Sequence, residues 1–195
     1  MDHMGTKTLE TSRLILRQFR KDDVNAMYEN WSKDEEVTRY LMWPAHKSAD
    51  ISRMYIDSLI HGYEKINNYN WGIVLKEIGQ VIGGIGAVRL DEDVESVHIG
   101  YCLGRQWWNR GITSEAFDEV IRFFMDEVKV NRVECRYDPR NIYSGKVMEK
   151  CGLLYEGTLR QSDYNNQGVC DAAWYGLLRE DYYIPVSYTH LRAHE

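Results

Sequence analysis

The feature that most constrains this chain is a strand that passes through a turn directly into a helix. Val97-His98-Ile99-Gly100-Tyr101-Cys102-Leu103 carries the branched and aromatic residues of a strand. From about Gly111 to Val128, apolar residues recur at three- and four-residue spacing, as on one face of a helix: Ile112, Ala116, Val120, Phe123, Phe124 and Val128. Gln106-Trp107-Trp108-Asn109-Arg110-Gly111 joins the two. The first turn of a helix leaves backbone N–H groups unpaired and carries the positive end of the helix dipole, so such a junction favours an anion, phosphate above all. Arg105 and Arg110 add positive charge there, and Gly111 allows close backbone approach.

The remaining elements read as a mixed α/β chain. Arg13 to Phe19 is a first strand, and Asp22-Asp23 opens a helix carrying Val24, Met27, Tyr28 and Trp31. A charged stretch, Lys33 to Arg39, precedes a loop-like apolar cluster, Tyr40 to Trp43. Ser48 is placed to cap a second helix reaching about Lys65. Strands over Asn70–Leu75, Gln80–Arg89 and 97–103 are joined by short links, which implies antiparallel pairing. Gly83, Gly84 and Gly86 mark a bulge or a close backbone approach. Arg132 to Tyr137 is a strand, and Asn141 starts a short helix ending at Gly152. Leu154–Gln161 and Asp171–Leu178 form a hairpin around Asn165-Asn166-Gln167-Gly168, giving the order β-α-α-β-β-β-α-β-α-β-β.

Several function classes fall away on composition. A net charge of −6 disfavours nucleic acid, which demands a basic face. No apolar run approaches the roughly 20 residues that span a bilayer, so no membrane role is expected. None of the four cysteines, Cys102, Cys135, Cys151 and Cys170, forms a C-x-x-C pair; they read as buried thiols rather than metal ligands, and a cytoplasmic location is expected. The ends look foreign: residues 1–8 read as an N-terminal tail whose Met1-Asp2-His3-Met4-Gly5 resembles an expression leader, and 185–195 read as a tail resembling translated vector sequence. The domain is expected over 9–184.

The junction residues resemble the GNAT superfamily of N-acetyltransferases, in particular its ribosomal-protein N-terminal and polyamine branch. That family's pyrophosphate loop reads Q/R-x-x-G-x-G/A; this chain has Gln106-x-x-Asn109-x-Gly111. Asparagine is the least costly non-glycine residue where φ must be positive. Asp138-Pro139-Arg140-Asn141-Ile142-Tyr143-Ser144 through Glu149-Lys150-Cys151-Gly152 is similar to a second family segment, D-P-x-N-x-x-S…E-K-x-G. The resemblance covers about Thr11 to Arg179. It implies one GNAT domain of about 6–7 strands, mostly antiparallel and splayed at the coenzyme site, with about four helices. It also implies acetyl-CoA as acetyl donor, no metal, and a primary amine as acceptor, such as a protein N-terminus or a polyamine. A homodimer is consistent with it.

The resemblance further implies which residues serve the site. Coenzyme contacts would come from Tyr101, Cys102, Leu103, Gln106, Asn109, Arg110, Gly111, Ile112, Thr113, Asn141 and Ser144. The general base has two candidates, His98, whose residue type titrates near neutral pH, and Glu95. The acid is open: the family's tyrosine seven residues after the asparagine is Met148 here, which leaves Ser144, with Tyr143 behind it. Asn109, Met148 and His98 all depart from the commonest family pattern, so a coenzyme A-binding sensor with little turnover is the alternative reading.

Overall fold

A computed structural model describes residues 1–184; the tail expected at 185–195 lies outside the described residues. Eight strands form one sheet in the order β1-β2-β3-β4-β5-β6-β8-β7. They are β1 (Leu9–Glu10), β2 (Leu14–Arg17), β3 (Asn70–Leu75), β4 (Gln80–Asp91), β5 (Ser96–Leu103), β6 (Arg132–Tyr137), β7 (Leu154–Asn165) and β8 (Gly168–Leu178). The helices are α1 (Val24–Met27), α2 (Glu35–Thr38), α3 (Ala49–Gly62), α4 (Ile112–Arg122), α5 (Ile142–Lys150) and α6 (Arg179–Tyr182). Two of them continue into wider turns with π geometry, α1 through Tyr28–Ser32 and α4 through Phe123–Val128. The eighth strand is the two-residue β1, and α2 is a single turn within the charged stretch, capped by the Asp34 carboxylate on the Glu36 N–H.

Alternation along the strands sorts apolar residues to two faces. Trp71, Ile73 and Leu75 of β3 join Phe117, Val120 and Phe123 of the α4 segment in the larger core. Tyr69 and Trp71 meet Phe124 and Phe123 edge-on, at centroid distances of 5.0 and 5.5 Å. Val74 and Val81 face the other way and pack with Phe19, Met27, Trp31 and Ile56. The sheet therefore lies between α4 and α5 on one side and α1 and α3 on the other.

Pairing is antiparallel except between β5 and β6, which run parallel and stay in register for only three rows, ending at His98 opposite Glu134. Beyond that row β5 continues against β4 as far as Leu103, and β6 continues against β8. The two central strands thus splay apart where β5 approaches α4. The Tyr101 hydroxyl reaches across the gap to donate to the Ser144 carbonyl at 3.1 Å, and the Cys135 thiol donates to the Ile99 carbonyl at 3.1 Å.

The first eight residues, read from sequence as a tail, pack on the sheet. The Asp2 N–H donates to the Val128 carbonyl, His3 meets the Tyr69 hydroxyl at 2.9 Å, and the Trp71 indole donates to the Lys7 carbonyl at 2.6 Å.

Asp138, ahead of α5, ties the second half together. It accepts from the Arg140 guanidinium and backbone N–H and from the Asn165 amide at 2.9 Å. Burial alone would raise its carboxyl, but these donors take it down to about 2. A carboxyl depressed in the fold contributes stability above its unfolded pKa, about 3.9, and loses it as pH falls through the folded value. The melting-temperature gap between wild type and Asp138→Asn should therefore be full above about pH 4 and narrow as pH falls towards 2; a gap that stays constant through that window would refute the assignment.

Candidate functional site

The splay opens a cavity of about 380 Å³ between the end of β5, the start of α4 and α5. Tyr101, Cys102 and Leu103 line it from the strand, and Asn109, Gly111, Ile112 and Thr113 from the turn and first helical residues. Asn141 and Ser144 line it from α5. Two residues expected there, Gln106 and Arg110, lie outside the cavity wall. Gln106 sits in the 3-10 turn Arg105–Trp107, and Arg110 contributes its carbonyl to the Arg13 guanidinium at 2.9 Å. Arg105 is turned to Asp34, 3.0 Å away.

The backbone of the turn has the geometry an anion site demands. Asn109 has φ of 59° and Gly111 of 71°, both left-handed, so the backbone turns sharply just ahead of the N-terminus of α4, where unpaired N–H groups gather. A Cβ on Gly111 would stand 3.4 Å from Lys150 Nζ and 3.7 Å from Arg13 Nη2. Two cations therefore flank the cradle, and Lys146 lines the same cavity. Arg13 is held there by Glu115, which accepts from its Nε at 2.7 Å. Asparagine tolerates this backbone where a branched side chain does not: Asn109→Gly should leave the melting temperature nearly unchanged, whereas Asn109→Val should lose about 1–2 kcal/mol in thermal unfolding.

Sequence reasoning missed Arg13, Lys146 and Lys150. Tyr143, Lys146, Val147 and Lys150 all line the cavity from α5 at helical spacing, a stripe visible in the sequence. Arg13 is brought in from the first strand region by tertiary packing alone.

Asn141 holds the N-cap position of α5 without capping it through its side chain. Its amide instead donates to the Ser144 hydroxyl at 3.0 Å, linking two of the residues that line the cavity.

A second cavity, of about 300 Å³, opens on the opposite side of the sheet between β3–β5 and the segments carrying α1 and α3. The two share Tyr101, Cys102 and Leu41. Burial pushes the Cys102 thiol up to about 11, so it stays protonated at neutral pH and is a poor nucleophile. The shared strip is pinned from the β7–β8 hairpin. The Asn166 amide donates to the Thr38 carbonyl at 2.7 Å and to the Trp43 carbonyl at 2.8 Å, and its N–H to the Leu41 carbonyl at 3.1 Å.

The two candidate bases part company. Glu95 sits in the turn between β4 and β5 with φ of 51°, where it pairs with the N-terminal amine at 2.8 Å; it lines neither cavity. His98 is buried in β5, on the face shared with Gly100 and Cys102 and two residues before Gly100, where the wall of the second cavity begins on that strand. Its Nδ1 lies 3.6 Å from a Glu134 carboxylate oxygen, and Trp174 stands edge-on to its ring at 5.4 Å. Glu134 is held down at about 2, by His98 first and by Arg132 as well, against the opposing effect of burial.

No cluster of three or more His, Cys, Asp or Glu side chains is placed to hold a metal ion among the described residues. No helix among them is long and apolar enough to cross a membrane.

Comparison with known proteins places the chain in a family. Residues 13–154 match a family profile described as Acetyltransferase (GNAT) domain. The uncharacterised N-acetyltransferase p20 of Bacillus licheniformis is 31% identical over 180 residues, covering 90% of this chain and 98% of that protein. The ribosomal-protein-serine acetyltransferase of Escherichia coli K12 is 26% identical, covering 89% and 97%. Among solved structures, RimL, a ribosomal L7/L12 alpha-N-protein acetyltransferase in complex with coenzyme A, superposes with a TM-score of 0.80 at 18% identity, covering 90% of this chain and 99% of that one. The microcin C7 self-immunity acetyltransferase MccE, in complex with acetyl-CoA and AMP, gives 0.79 at 19%, covering 86% and 93%.

Proposed function

Because the chain belongs to the GNAT family of acetyl-CoA-dependent N-acetyltransferases, we propose that it moves the acetyl group directly onto a primary amine, with both substrates bound at once. Acetyl-CoA occupies the first cavity, its diphosphate on the N–H groups from Asn109 to Thr113 and beside Lys150 and Arg13. The amine enters from the second. The observation that carries this reading is the wall of Tyr101 and Cys102 common to both cavities, which brings the two reactants together at the splay of β5 from β6.

The amine lone pair attacks the thioester carbonyl carbon, the C–S bond breaks, and the coenzyme leaves as a thiolate. The nitrogen gives up one proton, and one proton is taken by the sulfur, so that the products are an N-acetyl amide and the free thiol. Backbone N–H groups of β5 that have lost their β6 partners face the gap and stabilise charge on the carbonyl oxygen. Holding both reactants in line supplies a further part of the barrier lowering. His98, two residues before the acceptor cavity along β5 and braced by the Glu134 carboxylate, takes the amine proton through water. Ser144, aligned by Asn141, donates a hydrogen bond to the departing sulfur.

Initial rates measured with both substrates varied should give double-reciprocal lines that intersect. Parallel lines would reveal an acetyl-enzyme and overturn direct transfer.

A further inference from the structure

The acceptor side carries chemical information beyond the reaction type. The walls of the second cavity contain no Asp, Glu, Lys, Arg or His among the described residues. Aromatic and long apolar side chains form them, with Trp43, Tyr55, Leu59 and Met42 over a floor in which Gly84, Gly86 and Gly100 carry no side chains. That floor comes from paired positions, Gly86 facing Gly100 across β4 and β5 and Asn70 across β3 and β4. Asn70 supplies a polar edge: its amide nitrogen is used on Asn68, while its Oδ1 lies 2.6 Å from where a Gly86 Cβ would stand.

The acidic run Asp34 to Glu36 is spent elsewhere. Asp34 is bound to Arg105 and caps α2, and Glu36 is paired with Arg39. None of Asp34, Glu35 and Glu36 lines the cavity.

Resting on the reading of this cavity as the acceptor site, we propose that the acceptor is a small monoamine with an apolar, aromatic body. Each part of the wall argues for this class. A polyamine would have to leave a second ammonium against an uncharged apolar wall, where an unpaired ion is strongly disfavoured. A free amino acid would bring a carboxylate with no cation to meet it. A single amine, by contrast, is helped by such surroundings, because desolvation lowers an ammonium's pKa and releases the neutral form that attacks. Flat aromatic walls recognise a ring by offset or edge-on contact, and a site of about 300 Å³ sits at the small end of the ligand-pocket range.

The test is steady-state acetylation by the full chain with acetyl-CoA, followed by thiol release, for phenethylamine, spermidine, phenylalanine and a short peptide with a free N-terminus. Phenethylamine should exceed spermidine and phenylalanine in kcat/KM by about 100-fold, two to three kcal/mol of discrimination being what an unpaired buried charge commands, and should exceed the peptide, whose backbone amides would lie against an apolar wall. Trp43→Ala should raise the KM for phenethylamine by about 3- to 10-fold, the scale of a lost aromatic contact. It should leave acetyl-CoA binding, read by thermal shift, unchanged. Turnover of spermidine, phenylalanine or the peptide at or above the phenethylamine rate would overturn the assignment while leaving the acetyltransferase reading intact. Absence of turnover with all four amines despite acetyl-CoA binding would overturn the assignment of this cavity to the acceptor as well.

Discussion

His98→Gln should bind acetyl-CoA as the wild type does and turn over about 100-fold more slowly or worse, within the range by which a positioned base speeds proton transfer. The expectation follows from where His98 stands. It occupies the last row at which β5 and β6 are still paired, on the face of β5 that leads through Gly100 to the acceptor cavity. Gln is close to His in size and keeps a hydrogen-bonding edge, so the buried slot between Glu134 and Trp174 stays filled while the group that accepts and passes on a proton is lost. The loss should fall on kcat. Glu134→Gln should lower the rate less, since it removes the brace and keeps the base. If His98→Gln retained kcat within about three-fold, the histidine would be a structural residue of the sheet, and the proton would leave by water alone.

The second large effect is on stability. Phe117→Ala should destabilise the fold by about 3–5 kcal/mol, the range for deleting a buried aromatic ring. Phe117 is completely buried on the inner face of α4 and meets the Tyr101 ring at 5.4 Å. The surrounding wall belongs to α4, β5 and the rest of the larger core. Against a total of about 5–15 kcal/mol for a domain, such a loss should move the urea midpoint far down with little change in slope. Because Phe117 also backs the tyrosine that lines the donor cavity, acetyl-CoA affinity should weaken in the same variant at temperatures where it remains folded. A loss below about 1 kcal/mol would show that the core refills the space.

The parts of the architecture with strong patterns were legible from the sequence. Asn70–Leu75 and Arg132–Tyr137 are strands with the expected boundaries, because dense branched and aromatic residues there end in clear turn signals. The helix expected from Gly111 to Val128 is present, but its last six residues widen into π geometry; apolar spacing alone does not separate the two. Neither β1 nor α2 is long enough to show a period. The turn proposed to hold the donor was visible in the sequence because its residues are contiguous, from Asn109 to Thr113, so local backbone preference and helix polarity describe it. Gln106 and Arg110 share that stretch and still miss the wall, since a 3-10 turn and the Arg13 contact redirect the chain. The second cavity had no local signature. Its lining is gathered from α1, the loop after α2, α3 and three strands, and only tertiary packing brings them together.

The clasp made by Asn166 has a thermodynamic consequence. Leu41 borders both of the cavities proposed for the substrates, and the strip that carries it is fastened by one side chain from a hairpin more than a hundred residues away in the chain. A partition with two rooms cannot be displaced for one occupant only. Any tightening that the donor imposes on the acceptor through this strip must be returned by the acceptor to the donor by an equal factor, and loosening the fastening would weaken both sides of that exchange together.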